Sequence, residues 1–365
     1  MNSARKIICV ALFCVLASSG ALAAPGYNIQ ELPLYPHQGT LKSSVSAIND
    51  AGIAVGVSYA NGLDEKGRIW NGENSYNLIL SPNRTLPRDI NSSGWIVGNY
   101  TSSSIYDNRS FLYDGKNVVD LGNLGSNYTT ANGINNAGQV VGSSQLANGQ
   151  NRAFLWQNGN MNSLATLGGS FATGNAINNF GVIAGAASNT GGTSRAVVWQ
   201  QEQIIDLGTL GGADSNAQNI NDHGQVTGYA RTSGGSTLHA FLWSGNSMLD
   251  VTQGFVGNSY GYAVNESGFV VGLASPATGN SFAFLWNGNA FQNLNSLIPQ
   301  DSGWSLQRAD DINAAGQIVG SGWNPDGEYR AFLLTPVPEP QAALLLLAGL
   351  GLIGAIFRRR HRQHA

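Results

Sequence analysis

Short apolar runs alternate with polar, glycine-rich corners along almost the whole chain, at a length that suits strands and is too short for helices. Between residues 131 and 169, Gly133-Ile134-Asn135 predicts a short strand, Asn136-Ala137-Gly138 a turn, and Gln139 to Ser143 a second strand. After a polar stretch from Ser144 to Asn151, Arg152-Ala153-Phe154-Leu155-Trp156 predicts a third strand, Asn158-Gly159 a turn, and Met161 to Leu167 a fourth. The corner carries a signature, Ile-Asn-x-x-Gly-x-x-x-Gly, with Val replacing Ile in one copy. Its asparagines are Asn49, Asn91, Asn135, Asn178, Asn221, Asn265 and Asn313, spaced by 42, 44, 43, 43, 44 and 48 residues. Asn at the first corner can bond back to the following backbone, and Gly three places on can take positive φ, so the signature reads as a turn.

A period in the forties with four short strands per unit describes one blade of a β-propeller. The seventh copy stops after its third strand, at Arg330-Ala331-Phe332-Leu333-Leu334, and an unmatched strand, Tyr27 to Leu32, precedes the first copy. One N-terminal strand, six sets of four and a final three make 28, or seven blades of four. The expected fold is therefore all-β, a seven-bladed propeller over residues 24–336 whose last blade is completed by the N-terminal strand. An open array would gain nothing by splitting a unit between its termini, and would expose two edges that invite aggregation.

The two ends read differently. Arg5 and Lys6, an apolar run from Ile7 to Leu16 and the small-x-small site Ala21-Leu22-Ala23 predict a signal peptide over residues 1–23, cleaved after Ala23. Both cysteines, Cys9 and Cys14, lie inside it, so the exported body has no disulfide, thiolate metal site or cysteine nucleophile. At the other end Val337-Pro338-Glu339-Pro340 precedes an apolar run at 342–357 and the basic tail Arg358-Arg359-Arg360-His361-Arg362. That run predicts one transmembrane helix, with the arginines on the cytoplasmic side and everything before them outside. Residues 337–365 closely resemble the PEP-CTERM sorting signal of Gram-negative bacteria. The resemblance implies a single-pass inner-membrane precursor, an exosortase-type peptidase that acts near Val337-Pro338-Glu339-Pro340, and delivery to the cell surface or the medium.

Without the six basic residues of the two ends, 12 basic residues face 21 acidic ones, a net charge of −9. An acidic body argues against nucleic acid or anionic lipid as partners and leaves the membrane contact to the C-terminal helix. Four places before the terminal aromatic of each third strand stand Lys66, Arg109, Arg152, Arg195, His239, Phe282 and Arg330. Six of these could form a ring of cations that binds an anionic ligand. They could equally pair across the hairpin of strands three and four, Arg109 opposite Asp120 and His239 opposite Asp250, with Glu31 facing Arg330 across the closing strand. The terminal aromatics Trp70, Tyr113, Trp156, Trp199, Trp243 and Trp286 are expected to pack between blades. Trp304, in the longest insertion, is the candidate ligand contact. Asp50 and Asp222 follow turn asparagines without the alternating acids of a calcium loop, so no metal is expected. No cofactor motif, histidine pair, nucleophile elbow or phosphate loop appears, and no catalytic residue is assigned.

The units also resemble the HAF repeat of bacterial extracellular proteins, through His239-Ala240-Phe241 and Leu210-Gly211-Gly212. Unit one departs from the pattern with Arg68 where Phe is expected, and unit six with Phe282 in place of the cation. Together with the C-terminal signal this implies an exported, non-enzymatic binding or scaffold module associated with exopolysaccharide. The alternative is a secreted polysaccharide hydrolase or lyase with its site at the propeller funnel. The two differ in one observable: an enzyme needs unequal blades that bring acidic or histidine side chains together at one mouth.

Overall fold

Each repeat begins at a strand corner that its own asparagine builds. In the first unit Oδ1 of Asn49 accepts the backbone N–H groups of Ala51 at 3.1 Å and Ile53 at 3.0 Å. Gly52 meanwhile turns the chain at φ +78°. Asn91, Asn135, Asn178 and Asn265 hold their corners with the same two contacts. The second glycine of the signature has a different cause. In every unit the register of the first strand against the second shifts just ahead of the repeat asparagine, for example at Pro87/Asp89, Ala131/Gly133 and Ala217/Asn219, and three units carry a second shift earlier in the strand. This bulge drives a first-strand carbonyl onto the second strand, where a Cβ at Gly142 or Gly228 would collide with the carbonyl of Thr130 or Asn216.

The structure, a computed structural model, describes residues 26–34, 41–60, 64–81, 84–101, 107–201 and 203–337. Within them the chain is all-β, and its sheets are antiparallel meanders of four strands. The first unit runs Leu41–Ile48, Ile53–Ala60, Asp64–Asn71 and Asn74–Leu78 in that order. Two neighbouring meanders touch through a single parallel pairing, Asn151 with Phe171. The last sheet is composite. Tyr27–Glu31 pairs antiparallel with Tyr329–Pro336, from Tyr27 opposite Pro336 to Glu31 opposite Phe332, and Ile318–Trp323 and Ser305–Ile312 complete the order. The molecule is a β-propeller.

The first strands, beginning with Leu41–Ile48, Arg84–Ile90 and Thr129–Ile134, line the axis, and Ser305–Ile312 lies beside Leu41–Ile48. The repeat asparagines join them. Nδ2 of each donates to the backbone carbonyl of the next: Asn49 to Asn91 at 3.0 Å, Asn91 to Asn135 at 3.1 Å, Asn135 to Asn178 at 3.1 Å and Asn178 to Asn221 at 3.1 Å. Asn221 reaches Asn265 at 2.8 Å, Asn265 reaches Asn313 at 3.2 Å, and Asn313 returns to Asn49 at 3.1 Å. The circle closes on itself, with every member buried.

Between the meanders lies the apolar core. Trp70, 1% exposed, packs with Val319 and Ala331 of the last sheet, and its indole N–H donates to the Pro33 carbonyl. Trp199 packs with Val141 and Ala153, and Trp156 with Val97 and Leu112, each in the preceding unit. The terminal aromatics therefore fill the gaps between blades, as large rings do where twisted sheets diverge. A 3-10 turn at Leu294–Ser296 sits in the sixth connection. Among the described residues no helix is long and apolar enough to cross a membrane. The expected signal peptide with Ala21 and Ala23, the motif residues Pro338, Glu339 and Pro340, and the expected helix at 342–357 lie outside the described residues. Val337 lies inside, its N–H donating to the Gly26 carbonyl at 2.8 Å.

Candidate functional site

The bulge that each first strand carries aims one side chain toward the axis, and these seven positions are Ser46, Arg88, Asn132, Asn175, Gln218, Tyr262 and Asp310. All seven line a cavity of about 550 Å³ on the propeller axis, together with Tyr59, Asp89, Asn219, Arg308, Asp311 and Tyr329. The volume falls within the range of small-ligand sites, about 300–1,000 Å³. It opens where second strands pass into third strands, since Tyr59 ends one and Tyr329 begins the other. A smaller cavity of about 190 Å³, lined by the asparagine circle, occupies the other end of the axis, with Asp311 and Asn219 between the two.

One side of the large cavity is made of amides that tie neighbouring units together. Nδ2 of Asn132 donates to the Gly174 carbonyl at 2.9 Å, and Nδ2 of Asn175 to the Ala217 carbonyl at 2.7 Å. The other side carries charge. Arg308 pairs with Asp310 at 2.5 Å and lies over the Tyr262 ring, 4.6 Å from its centroid. Arg88 reaches into the cavity from the second unit and makes no hydrogen bond or ion pair among the described residues. Close packing and the nearby guanidinium groups of Arg84 and Arg308 pull its pKa below the usual arginine value.

Asp89 and Asp311 stand next to bulge positions and act as latches. Asp89 accepts Ile134 N–H of the next unit at 2.8 Å and its neighbour Ile90 N–H at 2.8 Å. Asp311 does the same with Ile48 and Ile312, at 2.8 Å each. Asn219 makes the equivalent reach to Val264 N–H at 3.2 Å with a neutral amide. Burial pushes the Asp89 carboxyl up to about 6. Burial, with Asp89 and Asp310 adding negative charge nearby, pushes Asp311 up to about 7. Burial also raises Asp310, opposed by Arg308, and raises the Tyr262 and Tyr329 phenols. Among the described residues the cavity therefore offers phenols, amides, one unpaired cation and carboxyls that hold protons at mildly acidic pH.

The cation-ring residues sit on the outer part of the same face, and most face an acid. Arg109 lies 3.3 Å from Asp120, Arg195 3.2 Å from Asp206, His239 2.7 Å from Asp250 and Arg330 3.2 Å from Glu31. The expected register is off by two residues, because Asp120 stands opposite Phe111 and Asp250 opposite Phe241. Each turn is shifted one place: Gly245 and Asn246, with φ of 57° and 69°, form the corner instead of Ser244-Gly245. A two-residue slip keeps side chains on the same face, so the pairs form diagonally. Arg152 has no acid across from it and donates to the Ser170 carbonyl at 2.8 Å and to Gln150 at 2.9 Å. Lys66 stands opposite Ser58. Trp304 is half-buried, edge-on to Phe332 at 5.9 Å, and takes no part in lining the axial cavity.

Arg88, Asp89, Tyr262, Arg308, Asp310 and Asp311 belong to no pattern that the repeat shares, so the sequence did not mark them. Alignment of the three or four residues before each asparagine would have shown a column that is polar in all seven units and charged in only two. Asp50 and Asp222 serve as acceptors for the backbone of the preceding unit, at Ala314 and Asn179. Among the described residues no acidic or histidine group has the make-up of a metal site.

Residues 336–360 match the PEP-CTERM protein-sorting motif, a signal for export and exosortase processing. Residues 189–324 match a family described as a protein of unknown function, DUF3466. No curated protein matches the chain. Among solved structures, a puromycin-hydrolyzing peptidase of Mycobacterium tuberculosis superposes with a TM-score of 0.54 at 12% identity, covering 82% of this chain and 52% of the peptidase. The chain thus spans about half that enzyme's length. YCF48 bound to D1 peptide gives a TM-score of 0.47 at 12% identity, covering 88% of this chain and 98% of its own. TolB from Acinetobacter baumannii gives 0.42 at 12% identity, covering 81% and 79%. Of these three only the peptidase exceeds 0.5, and at its identity the likeness concerns fold and not activity.

Proposed function

We propose that the protein is an exported seven-bladed propeller of HAF-like repeats that binds or scaffolds at the cell surface or in the extracellular matrix, in association with exopolysaccharide. An exosortase-type peptidase processes it from a single-pass inner-membrane precursor whose basic tail is cytoplasmic. The observation that carries the binding role is the axial cavity, where phenols, amides and charged groups converge from unequal units. Sugars are recognised by such mixtures, because hydroxyl groups pair with amides and charged side chains while ring faces rest on aromatic surface. The outer cations contribute little to ligand binding in this reading, since pairing with carboxylates already satisfies most of them.

Filling the cavity tests it. Ser46→Trp and Gln218→Trp should abolish retention on polysaccharides in a glycan array while leaving the thermal midpoint of the protein close to that of the parent. Retention that survives both substitutions would move the binding site off the axis, and no retention of any glycan by the parent would remove the carbohydrate role.

A second reading, a polysaccharide hydrolase or lyase, draws on the convergence of Asp89, Asp310 and Asp311 in one cavity. Against it, Asp89 and Asp311 spend both carboxyl oxygens on backbone N–H groups, and Asp310 is tied to Arg308. Release of reducing ends or unsaturated products from a bound glycan, lost in Asp310→Asn, would favour the enzyme.

A further inference from the structure

Charged side chains on the outer face are largely matched by partners, whereas on the axis Arg88, Arg308 and Asp310 keep unmet bonding capacity among the described residues. Arg88 projects from the bulge of the second unit into the cavity and makes no hydrogen bond or ion pair among the described residues. Arg308 spends one edge of its guanidinium on Asp310, but its Nε is buried without a partner. Asp310, its side chain 8% exposed, likewise leaves Oδ2 buried and unbonded. Buried polar atoms without partners cost about 1–3 kcal/mol each, so a site that keeps them is built for something that supplies the missing bonds.

The unmet needs are complementary. Among the described residues Arg88 and Nε of Arg308 lack acceptors, and one carboxyl oxygen of Asp310 lacks a donor. A neutral sugar offers hydroxyls for Asp310 but no charge for Arg88. A free sulfate or phosphate ion answers Arg88 but brings no donor to Asp310, whereas a sulfated sugar brings both and is the competing ligand. A sugar that carries a carboxylate supplies both from one ring, with two acceptor oxygens in the geometry that guanidinium groups match.

Resting on the glycan-binding reading above, we infer that the axial cavity selects an acidic sugar of the uronic-acid type. Arg88 and the exposed edge of Arg308 take its carboxylate, and a small rotation of Asp310 brings its buried Oδ2 to a ring hydroxyl. Asp89 and Asp311 do not compete for the cation, because their oxygens are held by backbone N–H groups of two units each.

Calorimetry on the full chain in mild detergent tests this with short oligogalacturonate, oligoalginate and oligoglucuronate, each beside its carboxyl-reduced counterpart, and with a sulfated galactan oligosaccharide. At least one uronate should bind roughly tenfold or more tighter than its reduced form, the scale of a charge-assisted pair. Arg88→Gln, which removes no hydrogen bond or ion pair among the described residues, should erase that preference while the thermal midpoint stays unchanged, and Asp310→Asn should weaken uronate and reduced sugar alike. Equal affinity for both forms, a preference that persists in Arg88→Gln, or sulfated galactan binding as tightly as any uronate would overturn the assignment. Binding of neutral sugars alone would end this inference and leave the glycan-binding reading standing. Binding of nothing would end both.

Discussion

At the scale of single residues, the repeat asparagine uses almost every polar atom it has. Oδ1 of Asn178 takes Phe180 N–H at 3.1 Å and Val182 N–H at 2.9 Å, while Nδ2 donates to the Asn221 carbonyl. An aspartate could still accept at the corner, but would set a buried carboxylate against that carbonyl. Asn178→Asp should therefore cost about 2 kcal/mol or more, read as a lower urea midpoint at pH 7. An unchanged midpoint would show that the circle of asparagines adds nothing to stability. The latch carboxyls make a prediction with a sign. Asp89 and Asp311 bind protons more tightly folded, at about 6 and about 7, than at the ordinary 3.8. Their contribution is full below about pH 4, as the unfolded chain also holds the proton there, and is lost as pH rises through 6 and 7. Urea midpoints should fall between pH 5 and pH 8. Asp89→Asn with Asp311→Asn should flatten that slope, because Asn219 shows that an amide makes the same reach. Asp114, held down to about 2 by the Asn117 backbone and side chain and by Lys116 N–H, has its window at more acidic pH and does not confuse the reading. A midpoint that rises over pH 5 to 8 would contradict the latch account.

At the scale of elements, the join of the two termini is the most exposed weakness. Tyr27–Glu31 is held by its ladder to Tyr329–Pro336, by Leu32 N–H to the Ala331 carbonyl at 3.0 Å, and by Glu31 beside Arg330. Arg330 is shared with Glu328, and Glu31 also accepts from Asn324 at 3.0 Å, so the pair belongs to a network. Glu31→Lys should speed proteolytic nicking near the N-terminal strand. Combining it with Arg330→Gln should destabilise by less than the sum of the two single changes, because both remove the same contact. Strict additivity would mean that the pair is not coupled. The bulge belongs to this scale too: it explains the second glycine of the repeat, and by turning one residue per unit toward the axis it creates the positions from which a binding site can be assembled.

At the scale of the whole molecule, the first strands form the wall of one axial cavity, so residues more than two hundred positions apart, Arg88 and Arg308, face a common space. The period, four strands per unit, the turn chemistry and the inter-blade place of Trp70, Trp156 and Trp199 were legible in the chain, because each follows from short-range pattern repeated at constant spacing. Ion pairs such as Arg109 with Asp120 were also within reach, although the turn between their strands lies one residue beyond the expected place. The axial site was not legible in the same way. It lies in the one column where the units differ, and a repeat is recognised by what its units share.

The same asparagine marks the limit between the two kinds of information. Its recurrence, with glycine three places on, determines a corner, since the bonds to the second and fourth following N–H groups are local and need nothing beyond the chain itself. Its amide donor meets a local glutamine four places on only at Asn135, Asn221 and Asn313, and has a second N–H to place in those units too. That the donor finds the next unit's carbonyl, and the last finds the first, was decided only when the sheets assembled around an axis. Arg88 is the counterpart among the charged residues: its type was in the sequence, but whether an acid would meet it depended on which strands came together, and among the described residues none pairs with it.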